Sequence, residues 1–229
     1  VEYNDGENLT AAAALAKASE IAIVFVNEPT SEGRDLQTLS LSGQQNELVK
    51  QVAAVNPRTI VVLETGGPAA MPWISDVAAA IEIWYPGIRG AEALANILFG
   101  DVNPSGKLPA TFAKSDADLP HPVIPGSVRA ATPVPATPTG APAARAGGRA
   151  MMAPFDIDYT EGLKVGYKWF QSEKIEPLFP FGFGLSYTTF SYSGLKAGLD
   201  SVTFTVRNTG KRAGAEIAQV YAGLPAKAG

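Results

Sequence analysis

Ile21-Ala-Ile-Val-Phe-Val26 is an unbroken apolar run of strand length, and the fold is read outward from it. A strand this uniformly apolar is expected in a sheet covered on both faces. Upstream, Thr10 to Ser19 is Ala-rich, with Leu9, Ala13 and Ala16 on one side and Thr10 or Asn8 available as a cap. Downstream, Ser42 to Val55 carries Leu48, Val49, Val52 and Ala53 at helical spacing, and Asn56-Pro57 ends it. Thr59-Ile-Val-Val-Leu63 is a second buried strand, followed by Thr65-Gly66-Gly67. Ala80-Ile-Glu-Ile-Trp84 is a third, closed by Pro86-Gly87. Gly90 to Leu98 returns to helix, with Ala91, Leu94, Ala95 and Leu98 on one side. Strand alternating with helix predicts an α/β fold, a mostly parallel sheet sandwiched by helices.

Composition narrows the chemistry. The 229 residues include 18 Lys and Arg, 22 Asp and Glu, one His and no Cys. A net charge of −4 argues against nucleic acid, whose phosphates need clustered cations. Without Cys there is neither a disulfide framework nor a thiolate metal site. With His121 alone, a histidine-rich metal centre is excluded, and a Ser-His-Asp triad would need that one residue. No apolar run approaches the roughly 20 residues of a membrane helix. Carboxylates are what remains for catalysis, with no cofactor or metal expected. The chain opens at Val1 on an acidic, polar run, as a fragment would.

Residues 120–155 differ in kind. Eight prolines fall between Pro120 and Pro154, among Ala, Thr and Gly, and the charges from Arg129 to Arg149 are all positive. Such a segment cannot bury enough apolar surface to offset its ordering entropy, so a loop or linker is expected rather than a partner-binding proline motif. The last 40 residues or so read as β: Thr188 to Tyr192, the clean alternation of Val202-Thr-Phe-Thr-Val206, and Ala215 to Tyr221, with a turn at Asn208-Thr-Gly210. Three strands make an incomplete sandwich with an open edge.

In open α/β sheets ligands bind beyond the carboxyl ends of the strands. The loop after the first strand, Asn27-Glu28-Pro-Thr-Ser-Glu32-Gly33-Arg34-Asp35, holds three carboxylates and an arginine, with Gly33 allowing a tight bend beside Glu32. A carboxyl group there can exchange a proton if burial raises its pKa. A solvated polar loop with a plain Arg34–Asp35 ion pair is the competing reading. Gly66-Gly67 lacks the further glycines and lysine of a phosphate cradle and reads as structural. His121, between prolines, reads as incidental. Trp73, Trp84 and Trp169 could floor a sugar site, but their apolar contexts favour core packing, as for Phe179, Phe181 and Phe183.

A series of motifs then resembles glycoside hydrolase family 3. Glu32-Gly-Arg-Asp35 with Leu39-Ser-Leu-Ser42 and Gln44-Gln-Asn-Glu-Leu48 is similar to that family's acid/base loop. Val61-Val-Leu-Glu-Thr-Gly-Gly-Pro68, Met71-Pro-Trp73, Trp84-Tyr-Pro-Gly87, Leu98-Phe-Gly-Asp101 and Asn103-Pro-Ser-Gly-Lys-Leu-Pro-Ala-Thr-Phe112 follow in the family's order. Tyr159-Thr-Glu-Gly-Leu-Lys-Val-Gly-Tyr-Lys-Trp-Phe170 and Pro177-Leu-Phe-Pro-Phe-Gly-Phe-Gly-Leu-Ser-Tyr-Thr-Thr-Phe190 complete the series. Jointly they are specific and cover most of the chain outside 120–155.

The resemblance implies an exo-acting β-glucosidase-type hydrolase that removes terminal β-D-glucosyl residues with retention. It further implies Glu32 as the general acid/base, Glu28 as a weaker alternative, and an aspartate nucleophile on an N-terminal (β/α)-barrel. That barrel would belong to the same precursor or a second chain, since no segment here looks like a nucleophile-bearing barrel strand. Leu36 stands where the family often has arginine, Gln171 where aspartate often follows Trp-Phe, and Ser42 where proline is frequent. The organisation implied is an α/β-sandwich domain over 1–119, an inserted Pro/Ala-rich loop over 120–155, the end of the α/β domain over 156–186, and the start of a fibronectin type III-like domain over 187–229. A β-glucoside or related oligosaccharide is the expected substrate, with no nucleic acid or membrane partner, and a homodimer is compatible. A periplasmic or secreted location is favoured over the cytoplasm. The alternative is a non-catalytic carbohydrate-binding or assembly module in which Glu32 only bonds sugar hydroxyls. A nucleotide-binding α/β domain is disfavoured by the lack of a phosphate loop.

Overall fold

The computed structural model describes residues 1–32, 36–123 and 156–223. Helix α1, Leu9–Ala18, begins where Asn8 Oδ1 accepts the Ala11 N–H at 3.0 Å, which selects Asn8 over Thr10 as the cap. The chain then forms β1 (Ala22–Glu28), α2 (Gln45–Val55), β2 (Thr59–Thr65), β3 (Ala79–Glu82) and α3 (Gly90–Leu98). The three strands are parallel in the order β1-β2-β3. The α/β class expected from the strand–helix alternation is therefore present.

One face of the sheet carries the core. Val24 and Val26 of β1 and Val61 and Leu63 of β2 pack with Ala12 and Ala16 of α1 and Val49 and Val52 of α2. Complete burial of such valines and leucines contributes about 1.5–3 kcal/mol each. On α1 the buried residues are Ala12 and Ala16, so the inward stripe is rotated from the one read in the sequence. Trp73, fully buried, closes the same cluster beyond the end of β2.

The expectation that the first strand is covered on both faces is corrected. Along β1 buried and exposed residues alternate, and Ile21, Ile23 and Phe25 remain exposed. The cause is topological: β1 is an edge strand, and α3 leaves a groove of about 400 Å³ between it and Ile21, Ile23, Phe25 and Ile60. Central β2 alone is buried along nearly its whole length.

Asn56 joins the helices. Its Nδ2 donates to Ala16 O at 2.8 Å and Ser19 O at 3.0 Å, satisfying carbonyls at the end of α1, while Oδ1 accepts the Arg58 N–H. Asn56→Ala strips Ser19 O and the Arg58 N–H of this partner, leaves Ala16 O only the Ser19 N–H, and is expected to cost about 1–3 kcal/mol. Asn56→Asp should cost more, since a carboxylate would face two carbonyl oxygens. Denaturant midpoints measure both.

Helix α4 spans Tyr167–Glu173, and the C-terminal part forms an antiparallel pair, β4 (Phe190–Ala197) with β5 (Val202–Asn208). The third strand expected at Ala215–Tyr221 is not formed. Those residues run as an extended strap that docks by side chains: Glu216 pairs with Lys107 at 3.2 Å, and Tyr221 packs edge-on to Tyr167. The strap's neighbour Ala213 O accepts from Asn103 Nδ2, and Arg212 Nη2 donates to Gly100 O, so the β4–β5 pair is tied to the end of α3. Most of the proline-rich stretch, residues 124–155, lies outside the described residues.

Candidate active site

The loop read as catalytic leaves the carboxyl end of β1, and it is clamped at both limbs. At its start, Gln45 mimics a neighbouring strand: Oε1 accepts the Asn27 N–H at 2.7 Å and Nε2 donates to Asn27 O at 2.9 Å. The Tyr85 hydroxyl donates to Glu28 O at 2.5 Å and lies 2.9 Å from Thr30 Oγ1. On the returning limb, Asp116 accepts from Thr38 Oγ1 at 2.6 Å and from the Leu39 N–H at 2.7 Å, while the Ala70 N–H donates to Leu39 O. Leu41 then plugs into the core at 4% exposure.

This geometry separates the two candidate glutamates. Glu28 ends β1 half-buried, and its Oε2 accepts the Ser42 N–H at 2.9 Å, so its carboxylate ties the two limbs together. Glu32 projects to solvent from a turn between the limbs, with no hydrogen-bond partner among the described residues. Gly33, Arg34 and Asp35, and with them the proposed tight bend and ion pair, lie outside the described residues.

Trp73, Trp84 and Phe179 pack in or against the core cluster, whereas Phe181 lines a surface cleft beside Tyr167. Trp73 Nε1 donates to Asn46 Oδ1 at 2.8 Å, and Trp84 packs 6.2 Å from the buried Phe112 ring. Phe112 in turn meets Phe179, which stacks on Phe183, while Phe181 lies against Tyr167. Trp169 Nε1 donates to Asp118 O. His121 Nε2 lies 2.9 Å from Glu161 Oε2, a hydrogen bond that links the residues on either side of the proline-rich segment. A hydrogen bond from its own backbone N–H, and after it the His121 contact, hold the Glu161 carboxyl below its ordinary value. Among the described residues no cluster of His, Asp or Glu could hold a metal, and no helix is long and apolar enough to cross a membrane.

The sequence pattern of the glycosyl hydrolase family 3 C-terminal domain matches residues 3–187. The chain belongs to glycosyl hydrolase family 3. A β-glucosidase of Rhizobium radiobacter is 40% identical over 220 residues, 92% of this chain and 24% of that protein. Thermostable β-glucosidase B of Acetivibrio thermocellus is 37% identical over 95% of the chain and 27% of its own length. Among solved structures, DesR, a β-glucosidase from Streptomyces venezuelae in complex with D-glucose, superposes with a TM-score of 0.69 at 40% identity, covering 89% of this chain and 24% of that one. β-Glucosidase 3B of Thermotoga neapolitana gives a TM-score of 0.73 at 28% identity, covering 93% of this chain and 29% of that one. The chain thus spans about a quarter of the length of the relatives it matches.

One site feature was not singled out in the sequence. Glu82, inside the third apolar run, turns toward the core face, and burial pushes its carboxyl up to about 7 against the pull of hydrogen bonds from Trp84 and Thr65. Its folded-state pKa is raised, so the folded protein holds this proton where the unfolded chain has released it. The stability it contributes is complete below the ordinary carboxyl pKa of 4.5 and is lost as pH rises through about 7. Glu82→Gln, which cannot ionise, should flatten this decline. Thermal midpoints of the variant and its parent at pH 5 and pH 8 check it.

Proposed function

We propose that this chain supplies Glu32 as the general acid/base of a retaining, exo-acting β-glucosidase. A (β/α)-barrel segment outside the chain supplies the aspartate nucleophile and most sugar contacts. The supporting observation is the division of labour in the β1 loop: Glu28 is spent holding the limbs together, while Glu32 is presented outward by a loop clamped at Tyr85, Gln45 and Asp116. The naming of the relatives as β-glucosidases, each about four times longer than the matched region, supports a two-part site.

Retaining hydrolysis requires two carboxyl groups roughly 5–5.5 Å apart across the anomeric carbon. The nucleophile displaces the aglycone and forms a glycosyl ester, while Glu32 gives its proton to the departing oxygen. Glu32, now ionised, takes a proton from water, which attacks the anomeric carbon and releases both sugar and nucleophile. Glu32 must start protonated, and the nucleophile's negative charge and burial beneath the barrel both favour that state. The domain organisation that accompanies this reading is an α/β domain over 1–119 and 156–186, interrupted by the 120–155 insertion and followed from residue 187 by a fibronectin type III-like domain.

The test is azide rescue in the full-length protein, comparing Glu32→Ala with Glu28→Ala on an aryl β-glucoside with a good leaving group. Rescue of the Glu32 variant alone supports the assignment. Unchanged activity of that variant on both activated and alkyl glucosides overturns it.

A further inference from the structure

Glu82 ends β3 on the core face of the sheet, opposite Leu63, with Thr65 two residues further along β2. A carboxyl group placed there needs a reason, because burying one is costly unless its oxygens are paired. Its pairing is specific. Oε1 accepts the Trp84 N–H at 2.8 Å, and Oε2 lies 3.1 Å from Thr65 Oγ1. The Thr65 hydroxyl also lies 2.7 Å from Gly67 O. A hydroxyl has one hydrogen and a carbonyl can only accept, so the hydroxyl's hydrogen goes to Gly67 O. The remaining contact then closes when Glu82 carries the proton and Oε2–H donates to Thr65 Oγ1. Burial pushes the same carboxyl up to about 7, which favours keeping this proton, against the pull of the Trp84 and Thr65 contacts.

What Glu82 grips leads directly to the Glu32 loop. Trp84 stands at φ 53°, a left-handed conformation that a bulky residue keeps only where its surroundings dictate it. The hydrogen bond from its N–H to Glu82 fixes that bend, and the bend aims Tyr85 back across the end of β2. There the Tyr85 hydroxyl bonds Glu28 O and Thr30 Oγ1, two residues before Glu32. On the other side, the Thr65–Gly67 turn puts Gly66 beneath this contact, where a Cβ would lie 3.0 Å from both Thr30 Oγ1 and the Tyr85 ring. One carboxyl group therefore secures both the hook that carries Tyr85 and the turn on which Tyr85 rests. Of the other titratable groups at these strand ends, Glu28 lies opposite Thr65 on β1, Glu64 lines the groove on the other face of β2, and Tyr85 lies on the hook; burial, not a charged neighbour, dominates at Glu82.

We propose that Glu82 is a positioning residue for the acid/base loop, acting on Glu32 through Thr65, Trp84 and Tyr85. This rests on the reading of Glu32 as the acid/base. The test is a double-mutant cycle in the full-length enzyme, read as kcat on an alkyl β-glucoside, whose leaving group needs protonation. Glu82→Ala should lower kcat by roughly 10-fold or more, since misplacing a reacting group by about 1 Å can cost about 100-fold. In a Glu32→Ala background the same substitution should change kcat by no more than about twofold, because the group it positions is gone. Glu82→Gln should keep most of the activity, its amide donating to Thr65 Oγ1 and its carbonyl accepting from Trp84. Should the alanine variant fail to fold, Tyr85→Phe carries the same cycle by removing a single hydroxyl. Equal losses in both backgrounds, or no loss in either, overturn the proposal. Azide rescue keeps the two readings apart. If azide fails to restore Glu32→Ala, the acid/base assignment has failed; if it succeeds while losses are equal in both backgrounds, only the positioning role has.

Discussion

With Glu32 as the proposed acid/base, its replacement by alanine in the full-length protein is expected to slow hydrolysis of alkyl and oligosaccharide β-glucosides by roughly 10²–10⁴-fold, the range in which general acid–base groups act. The loss should depend on the substrate. An alkoxide is a poor leaving group, so without a proton from Glu32 the first step becomes limiting. A nitrophenolate departs unaided, so that first step survives and the glycosyl ester accumulates. Its breakdown then stalls because no base activates water. Azide needs no base: it attacks the anomeric carbon, expels the nucleophile's carboxylate and yields a β-glycosyl azide. The expected signature is a low KM on the aryl substrate, a burst of phenolate release and a turnover that rises with azide. Glu28→Ala should show none of these. Its carboxylate accepts the Ser42 N–H, so its loss loosens the loop and lowers kcat on both substrate types without azide dependence.

How much of this was legible in the sequence depends on the range over which each signal acts. The strands of the parallel sheet and the helices between them follow from local periodicity, and Leu48, Val49, Val52 and Ala53 were read on the correct face of α2. The exposure of Ile23 and Phe25 was not legible, because an apolar run records what a strand is built to meet, not which neighbours this stretch of chain provides. Ala215–Tyr221 reads as a strand, yet it forms no ladder: Lys107 and Tyr167 hold Glu216 and Tyr221 by their side chains, and Asn103 holds the neighbouring Ala213. At the site, the loop and its two glutamates were visible as composition. The clamps were not: Asp116 lies 77 residues from Leu39, and Tyr85 lies 57 from Glu28. Glu82 did leave a trace. A carboxylate inside the run Ala80-Ile-Glu-Ile-Trp84, where every other residue is apolar, is a buried polar group awaiting a partner.

Trp73→Ala should produce the largest stability loss, and it also decides between two readings of that residue. Trp73 is fully buried, packs in the cluster with Val49 and Met71, and donates from Nε1 to Asn46 Oδ1. Emptying such a site costs about 3–5 kcal/mol, a large share of the 5–15 kcal/mol that typically holds a domain folded. Trp73→Phe keeps most of the volume and removes the donor, so about 1–3 kcal/mol is expected from the orphaned amide oxygen of Asn46. Asn46 in turn donates from Nδ2 to Ser40 Oγ, and Ser40 bridges Ala70, so the damage runs toward the returning limb of the Glu32 loop. A tryptophan that floored a sugar site would behave differently: its loss would raise KM and leave the unfolding midpoint in place. For a core tryptophan the order reverses. The phenylalanine variant should unfold at lower denaturant with KM little changed, and the alanine variant should fail to accumulate as folded protein. A rise in KM at an unaltered midpoint would move Trp73 out of the core and into the sugar site.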